Sequence, residues 1–538
     1  MPGGLLNIIS VGNANLFLTG NPSKTFFKVT YSKYTNFGLQ KFRLDYNGLR
    51  ELKFTESSKF TFKMKRYADL LMDTYLVVTI PDIWSPYWQP ASNTNNQYSP
   101  YDFKWIENLG TQIIEEVEII CGSQTIQKFS GQYLHAMMSR DFDANKKNLY
   151  NAMTGNVPEL NDPANNPYRI STPPFQTNTY PNSKYTSNSS GAEPSIRGRN
   201  IYIPINTWFT LDSRCAFPLV ALQYQELSIN ITLRPVYQLF QVRDVFNSEE
   251  GFPYIQIRPG ESQFQMYRFL QSPPSLDISS SNYSNQTNTW DADVHLISTY
   301  CFLSEEEQRK FTAEDQIYLV KEIREYDFLN VVGSNRVKLE STTGMVADWM
   351  WYYQRNDAFL RNEWSNYTNW PYKNNIPSNV VLDSSSNLYI TGDYSSINNR
   401  NILENFGILF GADYREVSFP RGVYEYIEKY TKTKGFAEEG ILCYNFCLNT
   451  SPYDYQPSGA VNTGRFKTIE FEFSTYNPPI DVSGATVNID CDGDGVPVNI
   501  SQKPAWALYK YNYNLHVFEE RFNILSFVSG TCGLTYAK

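Results

Sequence analysis

Histidine is almost missing from the chain: three among 538 residues, His135, His295 and His516, none inside a motif. With neither a His pair nor a C-x-x-C, no zinc-site pattern is present. Long basic runs are missing too. The densest, "KMKR" at 63–66, reads as a solvated strand face, and 46 basic against 55 acidic residues (net −9) exclude broad electrostatic capture of nucleic acid. No apolar run approaches the ~20 residues of a bilayer-spanning helix. The start "MPGGLLNIISVG" lacks the basic residues and cleavage site of a signal peptide. A soluble product made in the cytosol is the expectation.

Seven cysteines are an odd number for a disulfide framework. Cys443 and Cys447 in "LCYNFC", read as one strand, share a face but lie too far apart to bridge. All seven are expected to be mostly buried thiols from a reducing compartment. The seven N-x-[ST] sequons, among them Asn230, Asn282, Asn285 and Asn366, matter only in a secreted chain.

What the sequence does have is aromatic residues: 40 Tyr, 34 Phe and 10 Trp, within a hydrophobic content of 41%. Tyr and Phe favour pleated, half-buried surfaces, which points to β-sheet. Period-two alternation recurs. "KFTFKMK" sets Phe60, Phe62 and Met64 against Thr61, Lys63 and Lys65, and "ELSINITL" sets Leu227, Ile229, Ile231 and Leu233 against polar neighbours. "TIEFEF" does the same with Ile469, Phe471 and Phe473. Further strands are predicted at 74–80, 113–120, 294–303, 317–323, 440–448 and 513–527, and many short antiparallel strands imply sandwiches or barrels. The length suits two β domains of somewhat over ~200 residues each. Helices are predicted at 130–142, capped by Ser130, and from Ser304, where Glu307 completes a capping box. Long polar segments at 85–104, 145–198 and 354–401 are expected to be functional or partner-facing, their Tyr and Trp residues (Trp364, Tyr367, Trp370, Tyr372) packed in order.

Three sharper chemistries were tested against the residues. "GNPSKT" (20–25) looks like the end of a phosphate loop, but Ser23 replaces the second glycine and Pro22 removes a backbone donor. Catalysis by paired carboxylates would draw on Glu115, Glu116, Glu470 and Glu472, which sit on alternating strand faces where solvated charge suffices. "DCDGDG" places Asp490, Asp492 and Asp494 at positions 1, 3 and 5 of a Ca²⁺-like loop, yet position 12 is Ser501, so a solvated acidic turn is the reading and the aspartates are a weak metal candidate. No enzyme, cofactor or metal is expected. A carbohydrate- or receptor-binding β-sandwich using aromatic-rich loops is the alternative.

Five segments, in order, carry a resemblance. "LTGNPSKTFFKVTYSKYTNF" (18–37) resembles the N-terminal signature of the major capsid proteins of nucleocytoplasmic large DNA viruses. "IPINTWFTLDSRCAFPLVALQYQEL" (203–227), "TYCFLSEEEQRKF" (299–311), "QPSGAVNTGRF" (456–466) and "NYNLHVFEERFNILSFVSGTCGLTYA" (512–537) are similar to four further segments of that family. Gln225 stands in place of the family's usual His, Gly464 in place of Ser, and Thr531-Cys532 in place of a Gly-Met-like pair. The resemblance implies an all-β double jelly roll: an N-terminal arm (1–25) beneath the first jelly roll, eight-stranded jelly rolls at 26–304 and 317–538, a connecting helix at 305–316, and long loop insertions. It further implies a homotrimeric capsomer of pseudo-hexagonal outline tiling an icosahedral shell. Its partners would be neighbouring capsomers and minor capsid or cement proteins, with an internal membrane nearby but not spanned and no direct contact with nucleic acid. The virion would assemble in the host cytoplasm. Asn21-Pro22 and Pro457-Ser458-Gly459 read as turns, and Arg465 as an anchor for a carboxylate or carbonyl.

Overall fold

The computed structural model describes residues 3–88, 99–166, 180–181, 194–244, 253–274, 283–340, 344–374, 382–383, 388–389, 399–454, 456–478, 488–491, 497–501, 508 and 510–536. The alternating segments form strands that pair antiparallel into four four-stranded layers. The first sandwich holds β1 (Phe37–Asp45), β2 (Ser58–Lys63), β3 (Leu70–Ile80), β4 (Ile114–Cys121), β5 (Gln124–Phe129), β6 (Arg199–Pro204), β7 (Leu227–Leu233) and β8 (His295–Leu303). The second holds β9 (Gln316–Val331), β10 (Ser334–Leu339), β11 (Met345–Arg355), β12 (Leu403–Phe410), β13 (Asp413–Pro420), β14 (Ile441–Asn445), β15 (Ile469–Thr475) and β16 (Tyr513–Val528). Layer orders are β1-β8-β3-β6 and β2-β7-β4-β5, then β9-β16-β11-β14 and β10-β15-β12-β13. Advancing each label of the first sandwich by eight gives the second, so one eight-stranded jelly-roll topology occurs twice. A last strand, β17 (Thr531–Leu534), folds back on β16.

Alternation dictates the outer layers. In β2 every second side chain is buried and the others face water; β7 and β15 alternate buried with half-buried positions. The inner layer of the second sandwich obeys another rule. β11, "MVADWMWYYQR", is buried at all but its first residue. Trp349, Trp351 and Tyr353 enter the second core, where Trp351 stacks on Phe406 at 4.3 Å and Trp349 meets Phe471 edge-on at 5.2 Å. Met350 and Tyr352, on the opposite face, join the core of the first sandwich. A strand covered on both faces reads as a continuous apolar run.

The seam between the sandwiches is built on α2 (Gly131–Asp141). Ser130 caps it, Oγ accepting from the Tyr133 N–H at 3.3 Å, while the Ser130 N–H donates to Glu325 of β9 at 2.8 Å. Arg140, at its last turn, is wholly buried and donates to Asp141, to Asp348 of β11 at 2.6 Å and to Glu520 of β16 at 3.0 Å. Lys321 of β9 and the Tyr133 hydroxyl donate to Glu520 at 2.7 and 2.9 Å. Two cations thus face three carboxylates. Burial, with Glu520 adding to it against the pull of Arg140 and Lys321, pushes Asp348 up to about 7. Glu520 is held below the carboxylate range, because Arg140 and Lys321 outweigh its burial.

Several sequence expectations give way to local partners. The polar segment from 145 begins as α3 (Ala144–Thr154), with Asp143 accepting from the Lys146 N–H at 2.7 Å and Gly155 closing it at φ 80°. Tyr150 is buried against Phe142, so this part belongs to the core. The connector helix α4 (Glu305–Ala313) forms without its capping box. Asp69 ties down its start, accepting from the Leu303 N–H just before the cap and from Gln308 Nε2, both at 2.9 Å. β14 stops at Asn445, so Cys447 lies beyond the strand that holds Cys443. The first strand begins at Phe37, and residues 26–36 remain outside the sandwich although "FFKVTY" suits a strand, because no neighbouring strand pairs with them.

Because Asp348 binds its proton more tightly folded than unfolded, its contribution to stability falls as pH rises from about 4 to about 7 and is flat above. Asp348→Asn should therefore flatten the decline of the unfolding midpoint between pH 5.5 and 8, with the largest difference from wild type, on the order of a few kcal/mol, at the alkaline end; differential scanning fluorimetry across pH measures it. Arg140→Ala leaves three buried carboxylates with one cation and should cost about 3–5 kcal/mol in denaturant unfolding.

Candidate assembly surface

Glu116 pairs with Lys128 at 2.6 Å, Glu470 and Glu472 pair with Arg336 at 3.6 and 2.5 Å across the strand face, and Glu115 is exposed. His135 is buried beside Glu438, Nε2 to Oε1 3.4 Å. His295 Nδ1 lies 2.5 Å from the Asp293 carbonyl oxygen, and His516 Nδ1 lies 2.5 Å from Asp327 Oδ1. The three histidines stand at separate places. Asp492 and Asp494 lie outside the described residues, and Asp490 is described only as part of the strand Asn488–Cys491. Among the described residues no group of three or more His, Cys, Asp or Glu side chains is placed to hold a metal.

Loop aromatics turn inward. Trp364 Nε1 donates to the Gln238 carbonyl at 2.9 Å, and the Arg234 guanidinium covers its ring at 4.3 Å. Tyr367 is buried, Tyr372 donates to the Tyr254 carbonyl at 2.6 Å, and Arg400 lies over Trp370. Asn362 reaches across to the carbonyls of Tyr237 and Phe240, both at 2.8 Å. This part of the 354–401 segment therefore clamps the second sandwich to the first through Trp364, Tyr367 and Tyr372, while Phe359 remains exposed. The sequon residue Asn366 is buried and bonded to Thr368 and Trp370. The expected turns form: Asn21 takes φ 47°, and Gly459 takes φ 141° with its Cα facing the Phe446 carbonyl so closely that a Cβ would lie 2.9 Å from that oxygen. Arg465 is exposed and makes no ion pair among the described residues.

The unsatisfied surface lies elsewhere. Residues 3–36 run outside the sandwich, and every described side chain there is exposed, including the helix α1 (Gly3–Ile9). Phe17 (94%), Leu18 (90%) and Phe27 (99%) are nearly as open as in an unfolded chain, and Leu6, Ile8, Phe26, Val29, Tyr31 and Tyr34 are also exposed. The strip continues into Phe37 and Leu39 of β1, an edge strand. Its charge is one-sided: residues 1–44 hold five basic and no acidic residues, and the remainder holds 41 basic and 55 acidic. On the second sandwich, Val417 of edge strand β13, Ile427 and Tyr430 are exposed as well. Apolar surface this continuous marks a protein–protein contact. Sequence reasoning placed an arm here but missed its charge, which a count of acidic residues along the chain reveals.

Comparison with known proteins agrees. Residues 25–268 match the family model of the major capsid protein N-terminus. The major capsid protein of Chrysochromulina ericina virus is 30% identical over 253 residues, 44% of this chain and 41% of that relative, so the chain spans less than half of its length. The major capsid protein of Paramecium bursaria Chlorella virus 1 is 22% identical over 546 residues, the full length of both. The quasi-atomic model of the PBCV-1 virus capsid shares the fold, with a TM-score of 0.61 at 18% identity over 96% of this chain and 100% of that one. With a capsid family model matching residues 25–268 and a capsid relative aligned from end to end, the chain is similar along its length to the major capsid proteins of large DNA viruses and shares their fold.

Proposed function

We propose that the chain is a structural, non-catalytic capsid protein that assembles into homotrimers of pseudo-hexagonal outline, which tile an icosahedral viral shell. The observation that carries this reading is the apolar strip from Leu5 to Leu39, which the single chain leaves in water. Burying it at about 25 cal/mol per Å² would reward association with further copies. Each trimer presents six sandwiches, and the heterologous contact of one chain with the next closes into a ring. The arm lies beneath the first jelly roll on the particle's inner side, where Lys24, and Lys28 and Lys33 just beyond it, meet the acidic bodies of neighbouring copies. Minor capsid or cement proteins complete the lattice, an internal membrane lies nearby without being spanned, and the genome is not contacted directly. Assembly takes place in the host cytoplasm.

Purified protein should scatter light as a particle of about three times 62.2 kDa, free of nucleic acid; a stable monomer would overturn the proposal. Replacing Phe26 and Phe27 by Ser should shift the population toward monomer and leave the unfolding midpoint of the sandwiches unchanged. A trimer carries three times −9, so lattice formation should strengthen with ionic strength, read by turbidity from low to moderate salt.

A further inference from the structure

Two departures from the family pattern, Gln225 and Cys532, meet in space. Gln225 Oε1 accepts from the Cys532 backbone N–H at 2.8 Å and from the Cys121 thiol at 3.4 Å. The two cysteines therefore meet at one side-chain oxygen, Cys121 through its thiol and Cys532 through its backbone N–H. Cys121 ends β4 of the first sandwich and Cys532 lies in β17, at the far end of the second, so the pair joins two units about four hundred residues apart in the chain. Their backbones are held independently of the sulfurs. The N–H groups of Gln223 and Tyr224 donate to the Gly530 carbonyl at 2.9 and 3.2 Å, and the Leu534 N–H donates to Gln124 Oε1 at 3.3 Å. Cys215, Cys301, Cys443 and Cys447 have no thiol among the groups acting on them.

We propose that Cys121 and Cys532 form a redox staple: a dithiol inside the reducing cell that closes to a disulfide in an oxidising medium and fastens the C-terminal strand to the first sandwich. The oxidant is a small-molecule disulfide, RSSR. The Cys121 thiolate attacks one sulfur of RSSR, forming Cys121–S–S–R and releasing RS⁻. Cys532 gives its proton to solvent and attacks the Cys121 sulfur, breaking the bond to R and releasing a second RS⁻. Two electrons pass from the protein to RSSR, which ends as two thiols. Either thiol, once ionised, makes the first attack by the same exchange, and the disulfide formed is the same. Both sulfurs are buried, and β17 is a four-residue strand, so opening of the chain end admits the oxidant. The staple rests on this local geometry and is independent of the assembly reading.

The test uses full-length native protein incubated with glutathione disulfide or with reduced glutathione, then unfolded in N-ethylmaleimide and mapped by non-reducing peptide mass spectrometry. A 121–532 linked peptide should form only with the disulfide, the other described cysteines should carry maleimide, and the unfolding midpoint should rise by at least about 3 °C. Cys121→Ser and Cys532→Ser should each abolish that rise. Recovery of both residues as maleimide adducts, or of Cys121 persistently joined to glutathione, would overturn the pairing. A linked peptide with no rise in midpoint would overturn the fastening.

Discussion

The cluster of Arg140, Lys321, Asp141, Asp348 and Glu520 is the constraint on which the two-sandwich arrangement depends. Each sandwich has its own core, but their relative placement is set where a buried guanidinium from the first meets carboxylates on two strands of the second. Burying such charges is costly, and a purely apolar seam would cost less. Charged groups fix direction, however, whereas apolar contact tolerates sliding. Arg140 finds Asp348 and Glu520 at 2.6 and 3.0 Å in one register only. Burial, with the neighbouring Glu520 adding to it, pushes Asp348 up to about 7.

Around that seam the chain adds lateral ties. Asn362 and Trp364 reach from the second sandwich into the 237–240 segment of the first, and Gln127 Nε2 donates to the Lys321 carbonyl at 2.8 Å. The result is a two-unit body whose longest run of exposed apolar side chains lies in the arm.

Reading strands from the sequence succeeded where one face of a layer meets water. β2, β7 and β15 announce themselves through Phe60 and Phe62, Ile229 and Ile231, Phe471 and Phe473. α3 was passed over although Asp143 and Gly155 bracket it, because its polar composition resembles that of the loop that follows. The capping box at Ser304 does not form, and Asp69, far away in sequence, ties down the start of the helix through Leu303 and Gln308. Arg140 and Asp348 looked ordinary in sequence, since burial of a charge is a property of what surrounds it.

The sequence by itself determined the β character, the two consecutive sandwiches and the family resemblance, because period-two alternation and short ordered segments are local properties of the chain. Only the tertiary structure decided which faces become doubly buried, which charges meet at the seam, that the loop aromatics turn inward, and that Gln225 and Cys532 stand together beside Cys121. Those outcomes depend on contacts between residues hundreds of positions apart, and the chain's local chemistry carries no record of such distances until the layers close.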